Sequence, residues 1–173
     1  PGDDIIISGT IGDHGIAIMN QRLNLNLQAN FKSDCAPLNL ITNELFQKNF
    51  AIKFMRDPTR GGVAGVLNEI ADNKEWGIVI NEADIPVKPE VKGACEILGL
   101  DPLYIANEGK FIAVIGRKST RDFLIFLKKH PLGRNARVIG EAIKGQCGVW
   151  LRTSIGGMRP LLQLEAEGLP RIC

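Results

Sequence analysis

The sequence predicts an α+β domain of the two-layer α/β kind, a mixed β-sheet with helices packed on one face, and three observations predict it. Short apolar runs alternate with segments of helical spacing, and two of those runs follow one another through a turn rather than a helix. The chain also has 173 residues of 45% hydrophobic content, enough to bury one core but not two. One domain over residues 1–160 is expected, followed by a flexible tail over 161–173.

The elements follow in order. Asp4 to Gly9 is a β-branched run closed by glycine, and Gly12-Asp13-His14-Gly15 leads into the apolar spacing Ile16, Ala17, Met19. Residues 24–34 are polar and carry no period. After the start signals Asp34 and Pro37, Leu38, Ile41, Leu45 and Phe46 repeat at helical spacing. Ala51 to Met55 is a short strand, and Val63, Val66, Leu67 and Ile70 predict a third helix. Gly77 to Asn81 is another strand, and Pro86 and Pro89 frame a helix through Val91, Cys95, Ile97 and Leu98 that stops at Gly99. Leu103-Tyr104-Ile105 is expected to be extended and to pair as a hairpin, across Asn107-Glu108-Gly109, with the strand Lys110 to Ile115. Ser119 to Asp122 offers a cap for a helix through Phe123, Phe126 and Leu127, and Pro131 with Gly133 ends it. Val138 to Ile143 and Val149 to Arg152 complete the strands.

Charge excludes some functions. The 21 Lys+Arg and 19 Asp+Glu are scattered, with no stripe to hold a nucleic-acid backbone, so nucleic acid is not expected as a partner. No run of eighteen apolar residues occurs and the start Pro1-Gly2-Asp3-Asp4 is acidic where a secretory signal is basic, so no membrane association and a soluble, cytoplasmic protein are expected. An opening on Pro1 rather than Met suggests that sequence precedes it. Cys35, Cys95, Cys147 and Cys173 are too irregularly spaced for a metal site or a disulfide framework. Cys95 and Cys147 are expected to be buried as small hydrophobes, with Cys35 at a helix start left open.

Four segments offer chemistry. Asp57-Pro58-Thr59-Arg60-Gly61-Gly62, between a strand and a helix, joins two glycines, outward amides at a helix N-terminus and a guanidinium, which suits an anion or phosphate. It reads equally as a capped turn in which Asp57 or Thr59 satisfies orphan amides. Asp13 and His14 make proton transfer available in a tight loop, against the plainer role of capping or packing. Glu108 is a carboxylate at a turn, against the plainer role of a solvated tip. Cys173 ends a stretch, 165–173, with a glycine, a proline and few apolar groups. A thiolate on such an arm can accept an electrophilic carbon in one place and present it in another, and the last six residues reach on the order of 20 Å when extended. An arbitrary truncation ending on cysteine is the plain alternative.

Taken together, Gly2-Asp3-Asp4 with Ser8-Gly9, Gly12-Asp13-His14-Gly15, Asp57 to Gly62, Asn107-Glu108-Gly109-Lys110, His130-Pro131-Leu132-Gly133 and the ending Leu169-Pro170-Arg171-Ile172-Cys173 resemble the HypE hydrogenase expression/formation proteins. The resemblance runs over the whole chain. The glycine loops also occur in the wider PurM-like superfamily, related to aminoimidazole ribonucleotide (AIR) synthetase, and the Pro-Arg-Ile-Cys ending is the specific feature. One departure is Gly156 to Leu162, where an acidic residue is expected shortly after Arg159 and leucines stand instead.

The resemblance implies a PurM-like C-terminal domain and a role in building the nickel-iron hydrogenase centre. A HypF carbamoyltransferase would place a carbamoyl group on Cys173, which ATP-dependent dehydration would turn into a thiocyanate. The cyanide would then pass to iron held by HypC and HypD. ATP with Mg would be bound mainly by an N-terminal half not present in this chain. The resemblance makes Cys173 the acceptor and Glu108 the base for the thiocarboxamide nitrogen, sets Asp57, Thr59, Arg60, Gly61 and Gly62 toward the phosphate or the tail, and places His14 near the same cleft. It implies a homodimer and no resident metal. The competing readings are another PurM-like ATP-dependent synthetase, of the selenophosphate or AIR type, and a non-catalytic dimerisation or docking module.

Overall fold

The computed structural model describes residues 1–27 and 29–164. Its elements in chain order are β1 (Asp4–Ile7), α1 (Asp13–Arg22), α2 (Asn39–Phe46), β2 (Ile52–Arg56), α3 (Gly62–Ala71), β3 (Trp76–Asn81), α4 (Pro89–Leu98), β4 (Ile112–Ile115), α5 (Arg117–Lys129), β5 (Arg137–Lys144), β6 (Gly148–Arg152) and β7 (Met158–Pro160). Among the described residues the strands form one sheet in the order β2-β4-β1-β5-β3-β6-β7. Neighbours are antiparallel except β3 and β6, which run parallel with Ile78 opposite Val149 and Ile80 opposite Leu151. The sheet is mixed and the class is α+β, as the alternation of patterns predicts.

The helices, however, divide between both faces rather than covering one. Ile5 and Ile7 point, with Ile112, Val114, Ile78 and Ile80, into a cluster closed by Val63, Val66 and Leu67 of α3. Ile6, with Ala113 and Ile115, points the other way, into a cluster closed by Ile41 and Leu45 of α2 and Phe123 and Leu127 of α5. Successive side chains of a strand leave on opposite faces, so an unbroken apolar run such as Ile5-Ile6-Ile7 needs cover on both. Each isoleucine so buried contributes on the order of 2 kcal/mol by leaving water. A third cluster joins α1 to α4 through Ile16, Met19, Val91, Ala94, Cys95 and Ile105.

Two local expectations are corrected. Leu103-Tyr104-Ile105 is no hairpin strand: Pro102–Tyr104 is a single 3-10 turn, started by Asp101, whose side chain accepts from the Leu103 amide at 3.0 Å. Asp followed by Pro is a helix-start signal, and it outweighs the strand preference of the next three residues. The strand β4 is already paired on both edges, by β1 and β2, and the sheet's hairpin is β6 with β7. Nor do Ser119 and Thr120 cap a helix. The helix α5 begins at Arg117, and these hydroxyls reach outward, Ser119 accepting from the Ala51 amide and Thr120 donating to Asp4 at 2.7 Å.

The expected start of the tail also lies inside the fold at its first residue. Leu161 is fully buried in the α3 cluster, its amide donates to Val149 and its carbonyl accepts from Asn68 at 2.8 Å. A leucine rather than an acid at this position is therefore a core residue. The acidic partner of Arg159 comes from elsewhere, Asp101, at 2.8 Å. Residues 165–173, Cys173 among them, lie outside the described residues.

Candidate functional site

Three loops that follow β1, follow β2 and precede β4 meet at one buried side chain, Asn107. Its Oδ1 accepts from the Gly12 amide at 2.8 Å, and its Nδ2 donates to Ile105 O at 2.7 Å and faces Pro58 O at 3.4 Å. Its own amide donates to Pro58 O, at 3.1 Å. An asparagine has one acceptor and two donors to place, and here all are used inside the protein. Burial makes each of these bonds costly to lose.

The convergence brings two helix N-termini to one place. The helix α1 starts after Gly12 and α3 after Gly61, both glycines in the left-handed region and neither helix capped by a side chain. Unpaired first-turn amides and the helix dipole favour an anion there. At α3 the Asp57–Gly62 loop brings part of the expected set together. The Thr59 hydroxyl lies 2.7 Å from Asp57 Oδ2, 3.1 Å from Asn107 O and 3.4 Å from Glu108 Oε1, and its single proton serves the nearest, Asp57. Arg60 is exposed beside them. Gly62 has a different task from the one its sequence suggests. A Cβ there would lie 2.6 Å from Leu103 O and 2.7 Å from Ile105 O, so the close approach it permits is to the protein's own 3-10 turn, not to a ligand. Gly61 has more room, with Gly65 Cα at 3.3 Å from such a Cβ.

On the other side, residues 33–36 lie against both the α1 loop and the Glu108 turn. His14 Nδ1 is 2.8 Å from Ser33 Oγ. The next residue, Asp34, pairs with Lys110, whose ammonium also donates to Glu108 O at 2.9 Å. His14 and Glu108 are thus linked through two consecutive residues, Ser33 and Asp34. Asp13 does not point into this rim. It is buried, accepts from Thr10 at 2.5 Å and pairs with Lys88 at 2.6 Å, which raises the Lys88 pKa above its ordinary value because the hydrogen bond favours the charged amine.

Of the other thiols, Cys95 is buried between α1 and α4 as expected, and burial pushes its pKa up to about 11. Cys147 is exposed, against expectation. It lies in the segment 145–147 before β6, where its carbonyl accepts from the Trp150 indole at 2.9 Å. Cys35 is exposed on the segment that carries Ser33 and Asp34.

A mixed sheet whose strand-end loops start two helices and meet at a buried asparagine is an arrangement that comparison assigns to a class: residues 1–151 match the family model of the AIR synthase related protein, C-terminal domain, and the chain belongs to that family. Within it, the relatives are hydrogenase maturation proteins. The carbamoyl dehydratase HypE of Cupriavidus necator is 47% identical over 100% of the chain and 50% of its own length, and that of Escherichia coli is 45% identical over 99% and 51%. The chain therefore spans about half the length of the curated relatives it matches. The crystal structure of E. coli HypE superposes with a TM-score of 0.93 at 45% identity, covering 99% of this chain and 53% of that one. Another HypE structure, solved in complex with ATP, gives 0.92 at 42% identity over 100% and 53%, and one is of a HypE-HypF complex. Thiamine monophosphate kinases share the fold alone, at 18–20% identity and TM-scores of 0.54–0.58.

Sequence reasoning named three of the residues that hold this site, Asn107, Lys110 and Asp34, without giving them a role in it. Asn107 was legible as a polar residue among Ile105, Ala106 and Phe111, and Lys110 as a charge opening an apolar run. Asp34, read as a helix-start signal, carried no sign of this pairing, because its partner is 76 residues away.

Proposed function

We propose that this chain is the C-terminal half of a carbamoyl dehydratase, and that it carries the acceptor thiol and the proton acceptors for converting a thiocarboxamide into a thiocyanate. The observation that supports it most directly is the placing of Glu108 beside Thr59, where two uncapped helix N-termini converge. In the reaction the carbonyl oxygen of Cys173–S–C(=O)–NH2 takes the γ-phosphoryl group of ATP, giving ADP. The C–O bond then breaks, oxygen leaves as phosphate, and the nitrogen loses both protons to become Cys173–S–C≡N. Glu108 accepts a proton from that nitrogen and His14, held through Ser33, stands at the same rim for the second. The amides at the start of α3, with Asp57, Thr59, Arg60 and Gly61, face the phosphate.

The last described residues favour access of the tail to this place. Tyr104, three residues before Asn107, donates its hydroxyl to Leu162 O at 2.9 Å, so Leu162 lies beside the turn that leads to Glu108. Nine residues beyond Leu164 span at most roughly 30 Å, and in this reading that reach carries Cys173 into the site and out again.

The nucleotide and Mg belong, in this reading, mainly to the half that the relatives have in addition. Among the described residues no group of His, Cys, Asp and Glu is arranged to hold a metal ion. Alone the chain does not turn over. The donor is a HypF-type carbamoyltransferase, the cyanide acceptor an iron held by HypC and HypD, and the working form a cytoplasmic homodimer. Among the described residues no helix is long and apolar enough to cross a membrane.

Mass spectrometry of the intact protein after incubation with the carbamoyltransferase, carbamoyl phosphate and ATP tests the reading. Cys173→Ala gains no carbamoyl mass, and Glu108→Gln gains it but does not lose water. Carbamoylation of Cys173→Ala, or dehydration by Glu108→Gln at the parental rate, overturns the corresponding assignment. Tight ATP binding by the isolated chain would contradict the placing of the nucleotide in the other half and favour a self-sufficient synthetase.

A further inference from the structure

Lys110 is 1% exposed, yet it carries a charge. Its stem runs past Gly9, where a Cβ would lie 3.9 Å from Lys110 Cε, and its ammonium is spent on the Asp34 carboxylate and on Glu108 O. Asp34 Oδ1 is buried and has no hydrogen-bond partner among the described residues, so the attachment of Asp34 rests on Lys110. Taking the Lys110 ammonium and the inner oxygen of the partly exposed Asp34 carboxylate out of water is costly, and packed apolar side chains are often as stable as such a pair or more so. Stability alone gives no reason for a lysine here.

The position of the turn does. Asn107, on one side of Glu108, is tied to Gly12, Pro58 and Ile105. Gly109, on the other, has φ +65° and is pressed so closely against residues 34–36 that a Cβ would lie 2.2 Å from Asp34 O and 2.8 Å from Ala36 N. The carbonyl of Glu108 itself is the one part of the turn held by the ammonium. Neighbours and carbonyl together set the direction in which the Glu108 side chain leaves the backbone.

We propose that Lys110, clamped to Asp34, is the positioning residue for Glu108, aiming its carboxylate at the substrate nitrogen. The proposal rests on the reading of Glu108 as the proton acceptor. Proton transfer needs heavy atoms about 2.6–3.2 Å apart, so a small swing of the turn is enough to slow it.

Dehydration of the S-carbamoylated intact protein is followed as ADP release in the parent, Glu108→Gln, Lys110→Met and the double variant Lys110→Met/Asp34→Asn. The expected result for Lys110→Met is a kcat at least about tenfold lower, with KM for ATP within roughly twofold of the parent and the same carbamoyl load on Cys173. Removing the stranded carboxylate in the double variant restores the unfolding temperature but not kcat, because the Lys110 ammonium no longer holds the Glu108 carbonyl. That variant also carries the test if Lys110→Met alone does not fold. Parental kcat in Lys110→Met, or recovery of kcat together with stability in the double variant, overturns the proposal. Should Glu108→Gln dehydrate at the parental rate, the reading of Glu108 is what fails; an inactive Glu108→Gln beside a fully active double variant removes only the role of Lys110.

Discussion

The Gly12 amide donates to the side-chain oxygen of Asn107 at 2.8 Å, across 95 residues of chain. This bond joins the loop that starts α1 to the turn that carries Glu108, and the same side chain reaches the loop that starts α3. A single asparagine therefore sets the relative position of three segments that lie far apart in sequence.

Asn107→Asp is the most direct test of that role. The replacement keeps the shape and the acceptor for Gly12 but turns the Nδ2 donor into an oxygen facing Ile105 O and Pro58 O. Leaving buried acceptors opposed costs about 1–3 kcal/mol or more, so a clear drop in the midpoint of urea unfolding is expected. An unchanged midpoint would show that water replaces the lost donor.

Two glycines should respond in opposite directions to alanine. Gly62 has φ +63° and backbone oxygens waiting within 2.7 Å of any Cβ, so Gly62→Ala should destabilise by more than about 1 kcal/mol. Gly93 sits inside α4 with nothing within 4 Å of an added Cβ, and Gly93→Ala should stabilise by about 1 kcal/mol. Thermal unfolding of the pair reads both, and equal signs would contradict the packing described for Gly62.

Thiol labelling should separate the cysteines of the folded domain. Cys35 and Cys147 are exposed, whereas the Cys95 thiol is buried and its pKa lies near 11, so almost none is thiolate at neutral pH. Iodoacetamide at pH 8 should modify Cys35 and Cys147 while Cys95 stays unmodified until denaturant is added. Early labelling of Cys95, read by peptide mass, would mean that α1 and α4 separate readily.

The β6–β7 hairpin has a pH dependence of its own. The Ser154 amide donates to Glu82 Oε2 at 2.7 Å, and this bond holds the Glu82 carboxyl below its ordinary value of 4.5. A carboxyl with a depressed folded pKa lends stability above the unfolded value and loses it as pH falls through the folded one. The Ser154 amide resonance should therefore titrate with a midpoint below 4.5, and should be flat in Glu82→Gln. Titration unchanged in that variant would assign it to another group.

What the sequence by itself determined is local. Glycine and proline signals ended α4 at Gly99, a β-branched run marked β1, short apolar runs marked β2 and β3, and the Asp57–Gly62 loop was legible because its residues are adjacent. Its unbroken run Ile5-Ile6-Ile7 even carried the sign that helices cover both faces of the sheet. Tertiary structure decided the rest, since no local pattern encodes which distant groups will share a buried space. It turned Leu103 and Tyr104 from a strand into a capped turn, gave Gly62 to backbone packing and placed Leu161 in the core. It also brought Asn107, Asp34 and Lys110 around Glu108. A buried polar group must find its partner wherever the fold supplies one, and only the folded chain says where that is.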